Sequence, residues 1–233
     1  MSLNILHQDK HIIVCEKPPG TPTQSKSLCA KDMISILKNE LAKQNNQSAE
    51  PYLGLIHRLD QPVGGIMVFA KTPQAAKELS RQLQNDMIKK HYLAVITGDL
   101  SKNKGESISL VDEMVQNKKN NTSTIVASKT KESKTAKLTY TVLDVIQYND
   151  QPLSLIDVNL ITGRHHQIRV QTSAHLGGIW GDKKYNKKFQ DMKKATSLCL
   201  YSFQLEFLHP ITKEKMYFRN IPSYDMFSQF TIE

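Results

Sequence analysis

Polar side chains, a tight turn and an apolar strand follow one another in the stretch HRLDQPVGGIMVFAKT, residues 57–72. Pro62 and the two glycines are typical of a turn, and the apolar run Ile66–Ala70 is typical of a buried strand. Asp60 should therefore lie in a loop between rigid segments, where a polar group can face a cleft. In extended backbone, the side chain of Arg58, two residues before Asp60, would point to the same face as that of Asp60. On residue types alone, a carboxylate that only caps the turn is the commoner case.

The composition is that of a basic globular protein. Of 233 residues, 39% are hydrophobic and 23% are charged, which suffices for a substantial core in one domain or in a domain with a small lobe. Lysine and arginine number 31 against 22 aspartates and glutamates, a formal net charge of +9. This balance is consistent with a polyanionic partner such as a nucleic acid.

The cysteines and the apolar runs bear on location. Cys15, Cys29 and Cys199 are an odd number without a CxxC pair, which argues against a disulfide framework or a zinc site and favours a reducing cytosol. The N-terminus lacks a signal-peptide pattern, and no apolar run approaches the roughly 20 residues of a membrane span. We therefore expect a cytoplasmic protein with no membrane partner.

Hydrophobic periodicity predicts interspersed strands and helices. The predicted strands are 12–15, 66–70, 91–96, 138–145, 153–161, 202–208 and 215–218. The predicted helices are one with the apolar face Met33, Leu37 and Leu41, one from Thr72-Pro73 to Lys89 or Lys90, and one at about 165–175. The polar, basic residues 101–137 are predicted to be exposed hairpins or loops. Several strand connections are too short for parallel crossovers, so an α+β fold is expected, with a mixed, mainly antiparallel sheet and flanking helices.

Further motifs carry a family resemblance. They are KHY at 90–92, TGRHHQIRV at 162–170, AHLG at 174–177, GDKKY at 181–185 and LEFLHPIT at 205–212. With residues 57–72 and the KPPG loop at 17–20, they resemble the RluA-type pseudouridine synthases, whose signatures run roughly HRLDxxTSGLLVxAKT, KxY, TGRTHQIRVH and LxFxHPxT. The similarity spans nearly the whole chain and is weakest over 101–137. The departures are Gln61 for a basic residue, Val63 and Gly64 for Thr and Ser, His165 for Thr, and Gln171 for His.

The resemblance implies a fold and a reaction. The fold would be the pseudouridine synthase fold, a curved mixed sheet with a central catalytic cleft. It would form a single catalytic domain over residues 1–233, without a separate N-terminal RNA-binding module. The reaction would convert specific uridines of ribosomal or transfer RNA into pseudouridine. Because no net redox or hydrolysis occurs, no cofactor or metal is expected. RNA is the expected partner, and a monomer the expected state.

The resemblance also assigns the site. Asp60 would be the catalytic carboxylate, and whether it attacks the sugar, attacks the base or removes a sugar proton stays open. Arg169 would keep it ionised, because a nearby cation opposes the rise in pKa that burial causes, and Tyr92 would stack on the uracil. Arg58 would fill the space left by the flipped uridine. Further substrate-binding residues would be Arg164, His166, Gln167 and Ile168.

Other interpretations stay open at this point. An inactive RNA-binding relative is one, with Val63 and Gly64 as its symptoms. A glycosidase is another, but it needs a second carboxylate within roughly 5–9.5 Å of Asp60. His57 could belong to a hydrolytic triad, although no GxSxG elbow is present.

The remaining histidines and lysines have two interpretations each. Of His165, His166 and His175, at most two would share a helix face for a metal. The lysines of 118–137 and 183–194 could contact an RNA backbone or be solvated loop charge.

Overall fold

The structure is a computed structural model that describes residues 3–25, 31–45, 50–193 and 196–232. These residues form two compact units, Met1–Lys89 with Ser202–Asn220 and Lys90–Tyr201 with Ile221–Glu233. The strands are β1 Ile5–Gln8, β2 Ile12–Lys17, β3 Gly54–Leu55, β4 Gly64–Ala70, β5 Lys89–Ile96, β6 Ser107–Asn117, β7 Thr122–Val126, β8 Lys134–Tyr148, β9 Gln151–Leu160, β10 Leu200–Leu208 and β11 Lys215–Arg219. The helices are α1 Met33–Asn45, α2 Pro73–Gln84, α3 Gln167–His175 and α4 Lys187–Gln190, with short 3-10 helices at Ser101–Asn103 and Asp225–Gln229.

The first unit is a sheet with helices packed on it. Its strand order is β1-β2-β4-β10-β11, and β3 pairs with the last two residues of β4. β2 and β4 run antiparallel in the register Ile12↔Ala70 to Lys17↔Gly65, and all seven residues of β4 are buried. A strand buried on both faces needs a continuous apolar run rather than an alternating one. The predicted strands at 12–15 and 66–70 are confirmed.

Helix α2 begins where the sequence predicts and ends earlier. The Thr72 hydroxyl accepts the Ala75 N–H at 3.3 Å as the N-cap, and Pro73 follows. The predicted end near Lys89 or Lys90 is wrong, because the helix stops at Gln84 and Lys89 already begins β5. Asp86 takes left-handed backbone (φ 53°), which turns the chain out of the helix.

The end of α2 is also fixed by a side chain. Gln82 is fully buried and brackets Leu208 of β10, donating to its carbonyl at 2.9 Å and accepting its N–H at 3.0 Å.

The predicted apolar face of α1 is confirmed, with Met33, Leu37 and Leu41 all buried.

The second unit is an antiparallel sheet of order β5-β9-β8-β6-β7. Of the hairpins or loops predicted for residues 101–137, the structure has mainly hairpin strands, since β6 pairs with both β8 and β7 over most of its length. Only the expected hairpin character is confirmed, around the turn at 118–121. The exposure of β6 alternates between neighbouring residues, so a strand with one polar face accounts for the polar sequence.

Helix α3 begins at Gln167, two residues after the predicted start. His166 precedes it in left-handed backbone, with φ 54° and ψ 24°. The segment after α3 is held by Asn186, which binds both Thr97, at 2.9 Å, and the Ile179 carbonyl, at 3.0 Å.

The expected α+β class with a mainly antiparallel sheet is confirmed, and the expectation of one catalytic domain stays a prediction. Among the helices of the described ranges, none has the length and apolarity that a membrane crossing requires.

Candidate active site

Asp60 lies in the loop that joins β3 to β4 in the first unit. The Asp60 carbonyl accepts the Val63 N–H at 3.0 Å, which closes the turn. Leu59 and Val63 are 6% and 3% exposed, so apolar side chains anchor the loop on both sides of the carboxylate. Asp60 is half-buried and Arg58 is exposed. The loop therefore presents both polar side chains from a backbone that is fixed by burial.

A buried lysine lies beside this carboxylate. Lys17, the last residue of β2, is fully buried, and its ammonium donates to the carbonyls of Pro18 at 3.1 Å, Thr21 at 2.6 Å and Gln61 at 3.0 Å. Burial lowers the pKa of Lys17 to about 8, and the negative charge of Asp60 opposes that shift. Sequence reasoning placed Lys17 in the family's Lys-Pro-x-Gly loop and gave it no role in the site. The signal in the sequence is a lysine at the end of a strand whose first four residues are apolar.

The loop that follows Lys17 is joined to the Asp60 loop by paired hydrogen bonds. The Gly20 N–H donates to the Gln61 carbonyl at 2.9 Å, and the Gln61 side-chain amide donates to the Gly20 carbonyl at 3.1 Å. Thr23 makes a similar pair with Leu59, donating its hydroxyl to the carbonyl at 2.9 Å and accepting the N–H at 3.2 Å. Gln61, which departs from the family motif, thus pins the loop in this chain.

The other departures in this motif lie in buried backbone. Val63 is apolar and buried, so it anchors the turn by packing. Gly64 is buried as well. Gly65 has φ +127°, and a Cβ placed there would collide with the backbone of Ser202 in β10. The turn after the carboxylate is thus tightly packed in this chain.

His57 has a structural contact. Its Nε2 accepts the Val68 N–H of β4 at 3.3 Å, and the residue is 9% exposed. This bond ties the start of the motif to the strand that follows Asp60. The triad interpretation would need this nitrogen to act on a nucleophile, so the contact favours a role in the fold.

Arg169 is held in a buried ion pair in the second unit. Its Nε and Nη2 donate to the two carboxylate oxygens of Asp182 at 2.7 and 2.6 Å, and the side chains are 5% and 0% exposed. Asp182 also accepts the N–H groups of Lys184 and Tyr185. The guanidinium lies 5.1 Å from the centre of the Tyr185 ring. A fork-to-fork pair of this kind fixes both the position and the plane of an arginine.

His166 is tied to the same tyrosine. Its Nδ1 lies 2.7 Å from the Tyr185 hydroxyl, which also accepts the Ser123 N–H at 2.9 Å. Burial lowers the pKa of His166 to about 3, and the positive charge of Arg169 adds to that effect. A neutral His166 accepts the tyrosine O–H when its own hydrogen is on Nε2. His166 therefore helps to hold Tyr185, whose ring lies next to the Arg169 guanidinium.

Gln167 organises the turn before α3. Its amide oxygen accepts the Thr162 hydroxyl at 2.7 Å and the Arg164 N–H at 3.0 Å. Its amide nitrogen donates to the Lys137 carbonyl at 3.1 Å and to Gln171 at 3.0 Å. All four hydrogen-bonding positions are thus used inside the unit, and the turn places Arg164 on the surface.

The remaining predicted site residues lie on regular elements. Tyr92 is on β5 opposite Val158 of β9 and is 5% exposed. Ile168 is in the first turn of α3 and is also 5% exposed. Within their own units, the structure groups Arg58 and Asp60 in one loop and groups Arg164, His166, Gln167, Ile168 and Arg169 around the start of α3.

The histidines with a possible metal role have other partners. His165 bonds Ser123 at 2.9 Å and Asn121 at 3.1 Å, and His175 bonds Asp112 at 3.0 Å. In the part of the chain that the structure describes, no group of three or more His, Cys, Asp and Glu side chains is arranged to hold a metal. Cys15 and Cys199 are buried free thiols, and Cys29 lies outside the described residues.

Comparison with known proteins identifies the family of this site. Residues 11–174 match the family model described as RNA pseudouridylate synthase. The chain belongs to the RNA pseudouridylate synthase family. The matched residues include the Asp60 loop, Lys17 and Arg169. Asp182 and Tyr185, which contact Arg169, lie beyond the matched residues.

Relatives place the chain in the RluA-type branch of the RNA pseudouridylate synthase family. The dual-specificity RNA pseudouridine synthase RluA of Haemophilus influenzae is 32% identical over 220 residues, which cover 93% of this chain and 91% of that protein. The ribosomal large subunit pseudouridine synthase D of Nitrosomonas europaea is 31% identical over 89% of this chain and 58% of its own length. The chain spans only 58% to 66% of the length of four such relatives.

Solved structures support the fold. Human RNA pseudouridylate synthase domain containing 1 superimposes with a TM-score of 0.75 at 20% identity, over 97% of this chain and 85% of that chain. Human RNA pseudouridylate synthase domain containing 4 gives 0.73 at 23% identity, over 93% and 87%. At these identities the likeness concerns the fold, and it confirms the expected pseudouridine synthase architecture.

Proposed function

We propose that this chain isomerises uridine in RNA to pseudouridine, with Asp60 as the catalytic carboxylate. The observation that carries the proposal is the Asp60 loop, in which a half-buried carboxylate lies between the buried Leu59 and Val63 and the adjoining Gln61 carbonyl accepts a hydrogen bond from the buried Lys17 ammonium. A fixed carboxylate with a compensating charge suits both nucleophilic attack and proton abstraction, since each requires the ionised form. Family membership supports the reaction.

The reaction balances without an added reagent. The bond between the ribose C1′ and the uracil N1 breaks, the uracil turns while it stays bound, and C1′ bonds to C5 of the same base. The hydrogen of C5 leaves as a proton and N1 gains one. Asp60 would contribute its charge or a transient bond to this exchange, so no cofactor takes part in the proposed mechanism.

The roles of the other site residues are part of the proposal. Arg169 supports an ionised Asp60, and Asp182 and Tyr185 keep the guanidinium in one orientation. Tyr92 stacks on the uracil, and Arg58, which is exposed on the Asp60 loop, takes the place of the flipped nucleotide. Arg164, His166, Gln167 and Ile168 bind the RNA substrate. Gln167 also holds the backbone of Arg164, and His166 also bonds Tyr185.

The substrate is proposed to be ribosomal or transfer RNA. The relatives carry both kinds of name, including ribosomal large subunit pseudouridine synthase D and tRNA pseudouridine synthase C. The net charge of +9 supports a polyanionic substrate. We expect the protein to be a monomer and to be located in the cytoplasm.

An inactive RNA-binding relative is the second candidate. The departures at Val63 and Gly64 are the observation that favours it. Val63 and Gly64 are both buried in the turn. The Asp60 carboxylate and the Lys17 ammonium, which the departures do not replace, are still present. The departures therefore change how the turn is packed without removing the group that the reaction needs, and catalysis is the better supported proposal.

Tritium release from RNA labelled at C5 of uracil tests the proposal. We expect release by the wild-type chain, with loss of at least about 1,000-fold in Asp60→Asn, since removal of a nucleophile or base commonly costs that much. Asp86→Asn is the matched control, because it removes an exposed carboxylate from the same unit. RNA binding without release by the wild type would establish the inactive relative. Release by Asp60→Asn at the wild-type rate would overturn the role of Asp60.

A further inference from the structure

Two lysine-rich segments that are far apart in the sequence adjoin in the second unit. One is the turn between β6 and β7, which contains Lys118 and Lys119. The other is the segment 183–188, which includes the start of α4. The ammonium of Lys184 donates to the carbonyl of Asn121 in that turn at 2.8 Å. We refer to the exposed side chains of Lys118, Lys119, Lys183, Lys184, Lys187 and Lys188 as the lysine surface.

The turn is held in place by more than this one bond. The His165 ring bonds the side chain of Asn121 at 3.1 Å and that of Ser123 at 2.9 Å, and the Ser123 N–H donates to Tyr185. His165 stands where the family motif has threonine, so part of this attachment is particular to the chain. At the opposite end of the segment, Lys188 donates to the side chain of Gln151 at 3.1 Å.

The lysine surface has little neutralisation from the described residues around it. The ammonium groups of Lys183, Lys184 and Lys188 donate to the neutral oxygens of Met192, Asn121 and Gln151. Asp182, the adjacent carboxylate, is buried against Arg169, while Asp191 is exposed at the end of α4. Like charges at short range repel each other. Hydrogen bonds that hold cationic segments together therefore concentrate positive charge where an external polyanion can neutralise it.

We propose that the lysine surface binds the phosphate backbone of the substrate RNA outside the reacting nucleotide. This inference rests on the proposed function for the choice of RNA as the polyanion. Lysine contacts to phosphate release counterions and carry no base preference, so they add affinity that depends on salt. The surface contributes to RNA affinity and not to the chemical step.

Two triple variants with the same change in charge test the proposal. The first is Lys118→Gln, Lys119→Gln and Lys187→Gln, which removes lysines of the surface other than those whose bonds hold the segments together. The second is Lys10→Gln, Lys43→Gln and Lys77→Gln, which removes exposed lysines of the first unit. Binding to a mixed-sequence single-stranded RNA is measured from about 50 to 200 mM salt, the range over which phosphate contacts dominate.

We expect the first triple variant to bind about tenfold more weakly at the lower salt, with a slope of log affinity against log salt that is shallower by about 2, or roughly 0.7 for each lost contact. The second should change affinity less than twofold. Equal losses in both variants would show an effect of net charge alone and overturn the proposal. An unchanged salt slope in the first triple variant would also overturn the proposal. Binding to anionic lipid vesicles is measured in parallel, and a variant that loses vesicle binding but keeps RNA binding would assign the lysine surface to a membrane and overturn the proposal.

Tritium release separates this inference from the proposed function. If both stand, the first triple variant keeps kcat and shows a raised KM. Release by the wild type with an unchanged KM in the variant would overturn the lysine surface and leave the proposed function intact. Absence of release by the wild type, together with variant-specific loss of RNA binding, would overturn the proposed function and leave the surface as an RNA-binding site.

Discussion

The Lys17 ammonium and the Asp60 carboxylate interact in the first unit, where Lys17 is the buried partner. Burial lowers the pKa of Lys17 to about 8, and the charge of Asp60 acts in the opposite direction. The ammonium also bonds the carbonyl of Gln61, the residue after Asp60. One side chain thus supplies a positive charge to the carboxylate and a hydrogen bond to its loop.

Lys17→Met should therefore affect both stability and catalysis. The substitution leaves the carbonyls of Pro18, Thr21 and Gln61 without their donor, and we expect a loss of about 3 kcal/mol in the free energy of unfolding. Turnover should fall more than about tenfold at a temperature where the variant stays folded, because the Asp60 loop loses a hydrogen bond and a charge. Urea unfolding and tritium release measure the two effects. Lys71→Met, at a half-buried lysine of the same unit, is the control, and wild-type turnover in Lys17→Met would contradict the role.

Gly65→Ala should destabilise the first unit strongly. At φ +127° a Cβ would collide with the Ser202 backbone, so β4 and β10 would have to separate. We expect a loss of more than about 3 kcal/mol in unfolding free energy, because overpacking adds to the strained conformation. Gly20→Ala is a matched control, since Gly20 also has positive φ (+85°) but has no atom within 4 Å of a Cβ. Its cost should be about 1 kcal/mol, and similar losses in both variants would show that conformation alone decides.

The sequence predicted the elements with strong local signals. The apolar run of β4 and the Thr72-Pro73 start of α2 are determined by residues within one element, and both were located correctly. The end of α2 was missed because it depends on the left-handed backbone at Asp86 and on the contact of Gln82 with β10. For residues 101–137 the sequence predicted hairpins or loops without strand bounds, because the exposed face of β6 is polar and hides the alternation of a strand.

The candidate site shows the same division. The motif with Asp60 was recognised from the sequence, but the partner of a charged group depends on tertiary contacts. Nothing local to Lys17 predicts that its ammonium bonds the Asp60 loop, at a residue 44 positions later. Likewise, Arg169 was expected to act on Asp60, and no local pattern indicated its buried pair with Asp182.

Asp9 should give the first unit a pH-dependent stability. Partial burial would raise its pKa, but the N–H groups of Ile12 and His11, together with His7 and His209, lower it to about 2. A carboxylate with a pKa below its unfolded value stabilises the fold above that value. The contribution, about 2 kcal/mol, is then lost as the pH falls from about 4 to about 2.

The difference in unfolding free energy between wild type and Asp9→Asn should consequently be largest near neutral pH and shrink below about pH 4. Urea unfolding at about pH 7, 4, 3 and 2.5 measures it. Asp86→Asn controls for the loss of one negative charge in the same unit. A difference that stays constant down to the lowest pH would show that the hydrogen bonds of Asp9 do not depend on its ionisation.

The pair of Arg169 and Asp182 allows a structural role to be separated from a catalytic one. Asp182→Asn leaves a buried guanidinium without its countercharge, which should cost about 3–5 kcal/mol of unfolding free energy. In the double variant Arg169→Met with Asp182→Asn, the buried charge is gone, and the side-chain oxygen of the introduced asparagine can still accept the N–H groups of Lys184 and Tyr185 that bond Asp182 in the native chain. Stability should therefore recover by about half or more, since apolar replacement of a buried pair is often neutral.

If Arg169 supports the ionised Asp60 as proposed, the stabilised double variant should still lack tritium release, because the cation itself is missing. Asp144→Asn, which removes the partner of the exposed Lys104, controls for loss of an ion pair in the same unit and should keep activity, since exposed pairs contribute little. Recovery of release together with stability in the double variant would contradict a catalytic role for Arg169. Its contribution would then be limited to fixing the start of α3 through Asp182 and Tyr185.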